Sequence, residues 1–312
     1  MLNFVDIETV SHCNARCVFC PQSQDPLPAN TMSLELFEHI CKELRKTNKL
    51  YKHFYVVLNH YGEPLLDKFF KERVKLLEKY RIDLQLYTNG TKLDKDKVDF
   101  LDKYKHLIQK IDVNMVTLDE EEWCATYGLP PAQFKKTLHN LLYFLKILAA
   151  PDYHIKGAVI LRINIKNDLE RLINQSIVRN ATSPFIIDWN YMPHNNRSGN
   201  LKINDKNISD INDTAHKGNE YMYECHKHVF KSNFSINYKG KIFLCCQDYY
   251  QKNVIGDLTK DSIEYILNTK EANHLRDQMY GKKPANKDLI CRKCTHSIIG
   301  GLDFPIQQHP IN

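Results

Sequence analysis

From the start of the chain to about residue 192, short runs rich in β-branched and aromatic residues alternate with longer segments whose apolar positions recur at three- and four-residue intervals. The short runs predict strands over 4–10, 54–58, 83–87, 110–116, 158–165 and 185–191. The longer ones predict helices over 34–44, 69–80, 95–104, 132–148 and 169–179. Ser33, Asp94 and Asp168 stand where side-chain oxygens accept the free N–H groups of a first turn, and Pro130 and Pro131 carry the backbone angle that opens a helix. Strands alternating with helices make parallel βα units, so the pattern predicts an α/β fold in the form of an open or partial (β/α)6 barrel. Chemistry in such folds collects at the carboxyl ends of the strands.

The pattern breaks near residue 193. A stretch rich in Asn, Asp, Lys and Ser follows, which reads as a linker or substrate-facing loop over 193–220 between a core over 1–192 and a smaller unit over 221–312. In that unit 234–238 and 241–245 flank Lys239-Gly240, the signature of a β-hairpin, and short helices are expected over 262–267 and 271–279.

No run reaches the roughly 20 uninterrupted apolar residues of a membrane span. The most apolar stretch, 141–150, is interrupted by Lys146, and residues 1–10 include Asp6 and Glu8 where an export signal would be basic and then apolar. A cytoplasmic protein without a membrane partner is expected. The 43 Lys and Arg against 37 Asp and Glu leave a charge of +6 spread along the chain, with no interleaving of cations and aromatics, which argues against nucleic acid. The ten cysteines then point to metal or redox chemistry, because the cytosol keeps thiols reduced.

Cys13, Cys17 and Cys20 follow the first strand in a C-x-x-x-C-x-x-C spacing. Three thiolates on one tight loop suit an iron–sulfur cube with one iron left without a protein ligand. A zinc knuckle with His12 as fourth ligand is the alternative. With Gly62-Glu63-Pro64 after the second strand and Thr88-Asn89-Gly90 after the third, the chain resembles the radical S-adenosylmethionine (SAM) superfamily over most of its first 190 residues. The resemblance implies a 4Fe–4S cluster on Cys13, Cys17 and Cys20, with SAM on the open iron and a 5′-deoxyadenosyl radical released on reduction. It also implies that Gly62, Glu63 and Pro64 bind the SAM amino group, with Thr88, Asn89 and Gly90 among the cofactor contacts. Thr117 and Asp119 sit where many members carry a SAM-facing Ser-x-Asp, or else form a helix cap. Arg162 on the fifth strand suits either the SAM carboxylate or a salt bridge within the protein.

In the smaller unit stand Cys225, then Cys245 and Cys246 after Gly240, then Ile255-Gly256-Asp257-Leu258, then Cys291 and Cys294 in a C-x-x-C spacing. This order resembles the SPASM and twitch domains, which hold auxiliary clusters, and leaves enough cysteines for one. Cys225, Cys245, Cys291 and Cys294 are the expected ligands of this second 4Fe–4S cluster. Cys245 is preferred over Cys246 because neighbouring residues of a strand face opposite ways, so Cys246 is expected to pack. Cys41 lies in a helical apolar stripe and Cys124 near a helix start, so both read as core or surface thiols rather than ligands.

Cys20-Pro21-Gln22, Tyr61-Gly62-Glu63-Pro64-Leu65-Leu66, Asp248 after Cys245 and the terminal C-x-x-C resemble the aminocyclitol dehydrogenase family of butirosin biosynthesis. That resemblance implies oxidation of a hydroxyl on a sugar or aminocyclitol-like small molecule, with the auxiliary cluster taking the electron and a flavodoxin or ferredoxin reducing the first cluster. Arg197, in Asn196-Arg197-Ser198-Gly199, is the candidate catalytic residue. It would orient the hydroxyl rather than deprotonate it, since the guanidinium stays charged below about pH 12. Tyr61, Asp188, Asn190 and His194 are further polar candidates. The second enzymatic reading is a peptide-modifying enzyme that crosslinks or epimerises. The first strand begins near residue 4, which is expected to leave no leader-binding domain before the barrel. A non-enzymatic metal-binding interaction protein is the reading from another class.

Overall fold

The computed structural model describes residues 1–47, 50–148, 155, 157–163, 185–188, 197–201, 222–225, 227–294 and 296–299. The expected helix over 169–179 with its Asp168 cap, and Asn190, His194 and most of the linker, lie outside the described residues. Within them, β1 (Leu2–Ile7), β2 (Leu50–Val57), β3 (Asp83–Thr88), β4 (Ile108–Val116), β5 (Ala158–Ile163) and β6 (Phe185–Asp188) pair in chain order, all parallel, as the βα alternation predicts. The helices between them are α1 (Leu34–Lys46), α2 (Phe70–Lys79), α3 (Lys95–Lys103), α4 (Glu120–Tyr127) and α5 (Pro131–Leu148). Ser33 and Asp94 accept the N–H groups of Leu36 and Lys97, as capping residues should.

Period-two alternation divides the sheet. Val5, Ile7, Val56, Leu84, Leu86, Ile111, Val113 and Leu161 are buried in one hydrophobic cluster with Phe37, Ile40, Val74, Leu77, Leu101 and Phe144 of the helices. The intervening residues, among them Phe4, Asp6, Tyr55, Gln85, Tyr87, Asp112, Asn114 and Arg162, line a cavity on the opposite face. The polar and aromatic residues of these strands therefore form the concave surface that carries the site.

Helix α4 is not among the helices that apolar periodicity predicts, although the alternative cap reading of Asp119 and the helix start near Cys124 both fall on it. Three of its eight residues are the consecutive acids Glu120, Glu121 and Glu122, and only Trp123 and Tyr127 are buried, so an apolar stripe is missing. Its ends do carry signals. The Asp119 carboxylate accepts the Glu122 N–H, the acids favour the positive end of the helix dipole, and Gly128 closes it at φ 62° in the left-handed region.

The second unit continues the core sheet. β8 (Asn233–Ile236) lies parallel to the free edge of β1, with Val5 opposite Phe234 and Ile7 opposite Ile236, and β9 (Lys241–Phe243) and β10 (Val254–Asp257) extend it antiparallel. The expected hairpin is present with Gly240 in its turn at φ 79°, but its strands end at Ile236 and Phe243. β7 (Met222–Cys225) and β11 (Ser297–Ile299) form a separate antiparallel ladder in which Cys225 faces Ser297. Two helices, α6 (Ile263–Asn268) and α7 (Lys270–Met279), follow β10. In Ile255-Gly256-Asp257-Leu258 a Cβ on Gly256 would meet Ile266 Cγ2 at 2.4 Å, so the glycine lets α6 close onto the strand. Leu258 O is 2.8 Å from a ring nitrogen of His39 on α1, which ties this corner to the core. No described helix is long and apolar enough to cross a membrane.

Arg73 on α2 is fully buried. Its Nε donates to Asp67 Oδ2 at 2.6 Å, and its other nitrogens donate to the backbone oxygens of Met32 and Ser33, so one guanidinium joins α2 to the entry of α1. Arg73→Leu would leave the Asp67 carboxylate buried without its partner, a change that costs about 3–5 kcal/mol. Urea unfolding of this variant should show a loss of that size, and a loss below about 1 kcal/mol would show the pair to be dispensable.

Candidate active site

The cavity measures about 520 Å³, within the range of small-molecule sites. Cys13, Cys17 and Cys20 line it from one side and Cys225, Cys245, Cys246, Cys291 and Cys294 from another, so two cysteine groups far apart in sequence open onto one space.

The first group sits on the loop after β1, and neighbouring loops hold it. Arg16 N donates to Tyr127 O at 2.8 Å and Val18 N to Thr126 O at 3.0 Å, so the end of α4 clamps the loop's outer side. Buried Gln22 donates to Ser11 O at 2.8 Å and accepts from Leu27 N at 2.9 Å, which explains the glutamine of Cys20-Pro21-Gln22. Asn89 Nδ2 donates to Asn14 Oδ1 at 3.2 Å and lies 3.5 Å from Cys13 Sγ, and Asn14 Nδ2 donates to Thr91 Oγ1 at 2.9 Å. The loop after β3 thereby supports the cysteines.

Gly62 acts through its missing side chain. A Cβ there would stand 2.0 Å from Val10 O, and the adjacent Glu63 N donates to His12 O at 3.0 Å. The Glu63 carboxylate is buried and accepts three hydrogen bonds, from Leu65 N at 3.1 Å, Thr88 Oγ1 at 2.7 Å and Asn89 N at 2.8 Å. A carboxylate has about four acceptor sites, so one remains for a cationic group such as an amine. Gly62, Glu63, Thr88 and Asn89 line the cavity, whereas Pro64 opens a 3-10 turn behind it and Gly90 makes a turn at φ 74°.

Other expected cofactor contacts are placed differently. Thr117 and Asp119 lie outside the cavity lining. Thr117 donates to Glu122 Oε2 at 2.9 Å, and Asp119 caps α4, so the cap reading describes both. Arg162 does line the cavity, but its Nε and Nη2 donate to Asp112 Oδ1 and Oδ2 at 2.7 and 2.8 Å, a bidentate pair that already engages two of its donors. Lys110 adds a second cation 3.4 Å from Asp112 Oδ2.

In the second group, Cys225 stands on β7, Cys245 follows β9, and Cys291 and Cys294 belong to a tight turn in which Cys294 N donates to Cys291 O at 3.2 Å. Gln247 N and His296 N each point at a sulfur, Cys245 Sγ and Cys294 Sγ, at 3.4 Å. Because β9 ends at Phe243, strand alternation does not separate Cys245 from Cys246, and the expectation that Cys246 merely packs is corrected: it lines the cavity beside its neighbour. What distinguishes the two is their surroundings. Burial raises both thiols; among neighbouring charges Cys245 feels cysteines, Cys246, Cys291 and Cys294, whereas Cys246 feels Asp6, Lys227 and Arg197 before Cys294. Cys41 is core, and Cys124 packs against the core on α4.

The donor sets fit iron–sulfur clusters. Burial pushes the thiols of Cys13, Cys17, Cys20, Cys245, Cys291 and Cys294 up, Cys13 to about 12, and neighbouring cysteines push Cys17, Cys245 and Cys291 further in the same direction. Thiols gathered this way become thiolates when a bound cation supplies the missing positive charge. Among the described residues no three His, Cys, Asp or Glu side chains converge as around a single metal ion, whereas the thiolates of a cube each sit on a separate iron.

Arg197 lines the cavity with Ser198, in a turn where both adopt positive φ, 51° and 55°. Its charge acts on Cys20 of the first group and Cys246 near the second, and its Cζ lies 6.0 Å from the centre of the Tyr61 ring. Tyr61 also lines the cavity and meets Tyr249 edge to face at 4.7 Å. Asp188 of β6 pairs in register with Arg162 of β5. Asp6, Tyr55, Tyr87 and Lys227 also line the cavity and were not singled out from sequence; for the first three, the available signal is a polar or aromatic residue at the inward position of a predicted strand.

The radical SAM superfamily profile matches residues 7–164. The chain belongs to that superfamily and is an enzyme, which sets aside the non-enzymatic reading. A second profile, the SPASM iron–sulfur cluster-binding domain, matches residues 225–295, and together the two domains imply 4Fe–4S clusters and SAM as cofactors. Among solved structures, the chain is similar to BtrN in complex with AdoMet and 2-DOIA, with TM-score 0.58 and 17% identity over 95% of this chain and 93% of that one. It is also similar to native anSMEcpe with bound AdoMet, with TM-score 0.55 and 18% identity over 94% and 86%. A third, SuiB of Streptococcus suis bound to precursor peptide SuiA, gives TM-score 0.52 and 13% identity over 94% and 70%. At these identities the likeness is one of fold. No curated protein matches the sequence.

Two variants test this geometry through metal content. Gly62→Ala should separate the second-strand loop from the cysteine loop, and anaerobically reconstituted protein should lose about half its iron and acid-labile sulfide while the second cluster remains. Cys245→Ala should likewise lose about half, whereas Cys246→Ala should keep the full amount. The reverse order would make Cys246 the ligand.

Proposed function

We propose that the protein oxidises a hydroxyl group of a sugar or aminocyclitol-like small molecule to a ketone. The observation that carries this reading is the single cavity onto which both cysteine groups open, with Arg197 between them. Cys13, Cys17 and Cys20 would hold the first cluster, and Cys225, Cys245, Cys291 and Cys294 the auxiliary one, two per chain. When bound, these groups and SAM would supply a 5′-deoxyadenosyl radical and an electron acceptor to a substrate held in the cavity. A flavodoxin or ferredoxin serves as the reductant of the first cluster.

The chain's own residues do the rest. Glu63, held by Thr88 and Asn89, offers its remaining acceptor site to the SAM amino group. Arg197 orients the substrate hydroxyl and makes its proton easier to remove, but its guanidinium does not accept that proton. The inner face of tyrosines, amides and paired charges suits a ligand bearing several hydroxyl groups. BtrN, whose structure holds 2-DOIA, supports a small substrate, while the peptide bound to SuiB makes peptide modification the competing outcome.

The test uses anaerobically reconstituted enzyme with dithionite, SAM and carbinol-deuterated 2-DOIA, inositols and amino sugars. Expected are about eight irons per chain, deuterium in 5′-deoxyadenosine, and ketone in equal amount. Cys17→Ala should abolish both products, and Cys245→Ala should leave 5′-deoxyadenosine without ketone. Ketone formed by Cys245→Ala at the wild-type rate would overturn the electron-accepting role, and solvent hydrogen incorporated into an unoxidised product would indicate epimerisation instead.

A further inference from the structure

Oxidation of a hydroxyl releases a proton, and Arg197 is no acceptor for it. Among the described residues three carboxylates line the cavity, Asp6, Glu63 and Asp112. Glu63 is engaged by Leu65, Thr88 and Asn89, and Asp112 by Arg162 and Lys110. Asp6 differs from both. It projects from the middle of the sheet, its one described hydrogen bond is a long one, 3.4 Å from Ser235 Oγ to Oδ2, and no described cation forms an ion pair with it. The groups that face it come from every neighbouring element: Ser235 of β8, Tyr55 of β2, Tyr87 of β3, Lys227 after β7 and Cys246 after β9. Asp6 therefore stands on the strand that leads into the first cysteine loop and faces Cys246 of the loop after β9.

We propose that Asp6 is the catalytic base of the reaction, taking the proton of the substrate hydroxyl into its carboxylate. This rests on the oxidation reading above. In the balanced step the carbinol C–H hydrogen passes as an atom to the deoxyadenosyl carbon, giving 5′-deoxyadenosine. The O–H proton passes to Asp6, one electron passes to the auxiliary iron–sulfur centre, and the carbon–oxygen single bond becomes C=O. Burial supports the assignment, since it pushes the Asp6 carboxyl up to about 7 against the weaker opposing effects of Ser235 and Lys227. A base with a proton affinity near the working pH both accepts and releases its proton readily. The acceptor is the ionised form, so oxidation should rise with pH through about 7.

Asp6→Asn keeps the shape and removes the basic oxygen. With the same probes, ketone formation should fall by roughly 100-fold or more while 5′-deoxyadenosine and iron content persist. The rise through neutral pH should disappear, and Asp6→Glu should restore part of the rate. A readout independent of turnover is carbon-13 NMR of aspartate-labelled holoenzyme, in which a carboxyl titrating near 7 should be present in the wild type and absent from Asp6→Asn. Ketone formation by Asp6→Asn at the wild-type rate, or a wild-type Asp6 titrating near 4, overturns the assignment of Asp6 alone. A wild type that yields ketone from none of the probes overturns the oxidation reading and this step with it.

Discussion

The parallel seating of β8 against β1 is the constraint on which the site depends. β1 is hydrogen-bonded on both edges, with Val5 opposite Val56 of β2 and opposite Phe234 of β8. Its carboxyl end feeds the loop of Cys13, Cys17 and Cys20, and β8 begins the hairpin that leads to Cys245. A slip of one residue would turn Asp6 into the core and Val5 into the cavity, and would move the two cysteine groups relative to one another. The apolar core beneath the sheet thus sets the register that places both groups on the same space.

Burial then assigns different work to chemically similar side chains. Asp112 is neutralised by a bidentate arginine and a lysine, Glu63 is spent on joining two strand-end loops, and Asp6 keeps its acceptor capacity. The buried thiols follow the same physics, because a group that holds its proton tightly in a low-dielectric site ionises when a strongly positive partner binds. Much of the motif chemistry proves to be scaffolding. Gly62 permits a close approach, Asn89 braces the cysteine loop, and Asp248 accepts from Lys252 N, Asn253 N and Asn253 Nδ2 to fold the segment after Cys246.

The sequence by itself determined the βα alternation, the caps at Ser33 and Asp94, the hairpin turn at Gly240 and the two cysteine groups, because each is a local pattern whose physics operates within a few residues. Only the tertiary structure decided that the second unit would complete the sheet at β1, since pairing across more than 220 positions leaves no local trace. The same holds for the clamp that Thr126 and Tyr127 at the end of α4 place on the cysteine loop, and for Cys246, which shares the cavity because β9 stops at Phe243. Arg162 was visible as an inward cation, but its engagement by Asp112 required the register of β4 against β5. Asp6 was visible only as an acid in a strand; its isolation among committed charges arises where five separate elements meet.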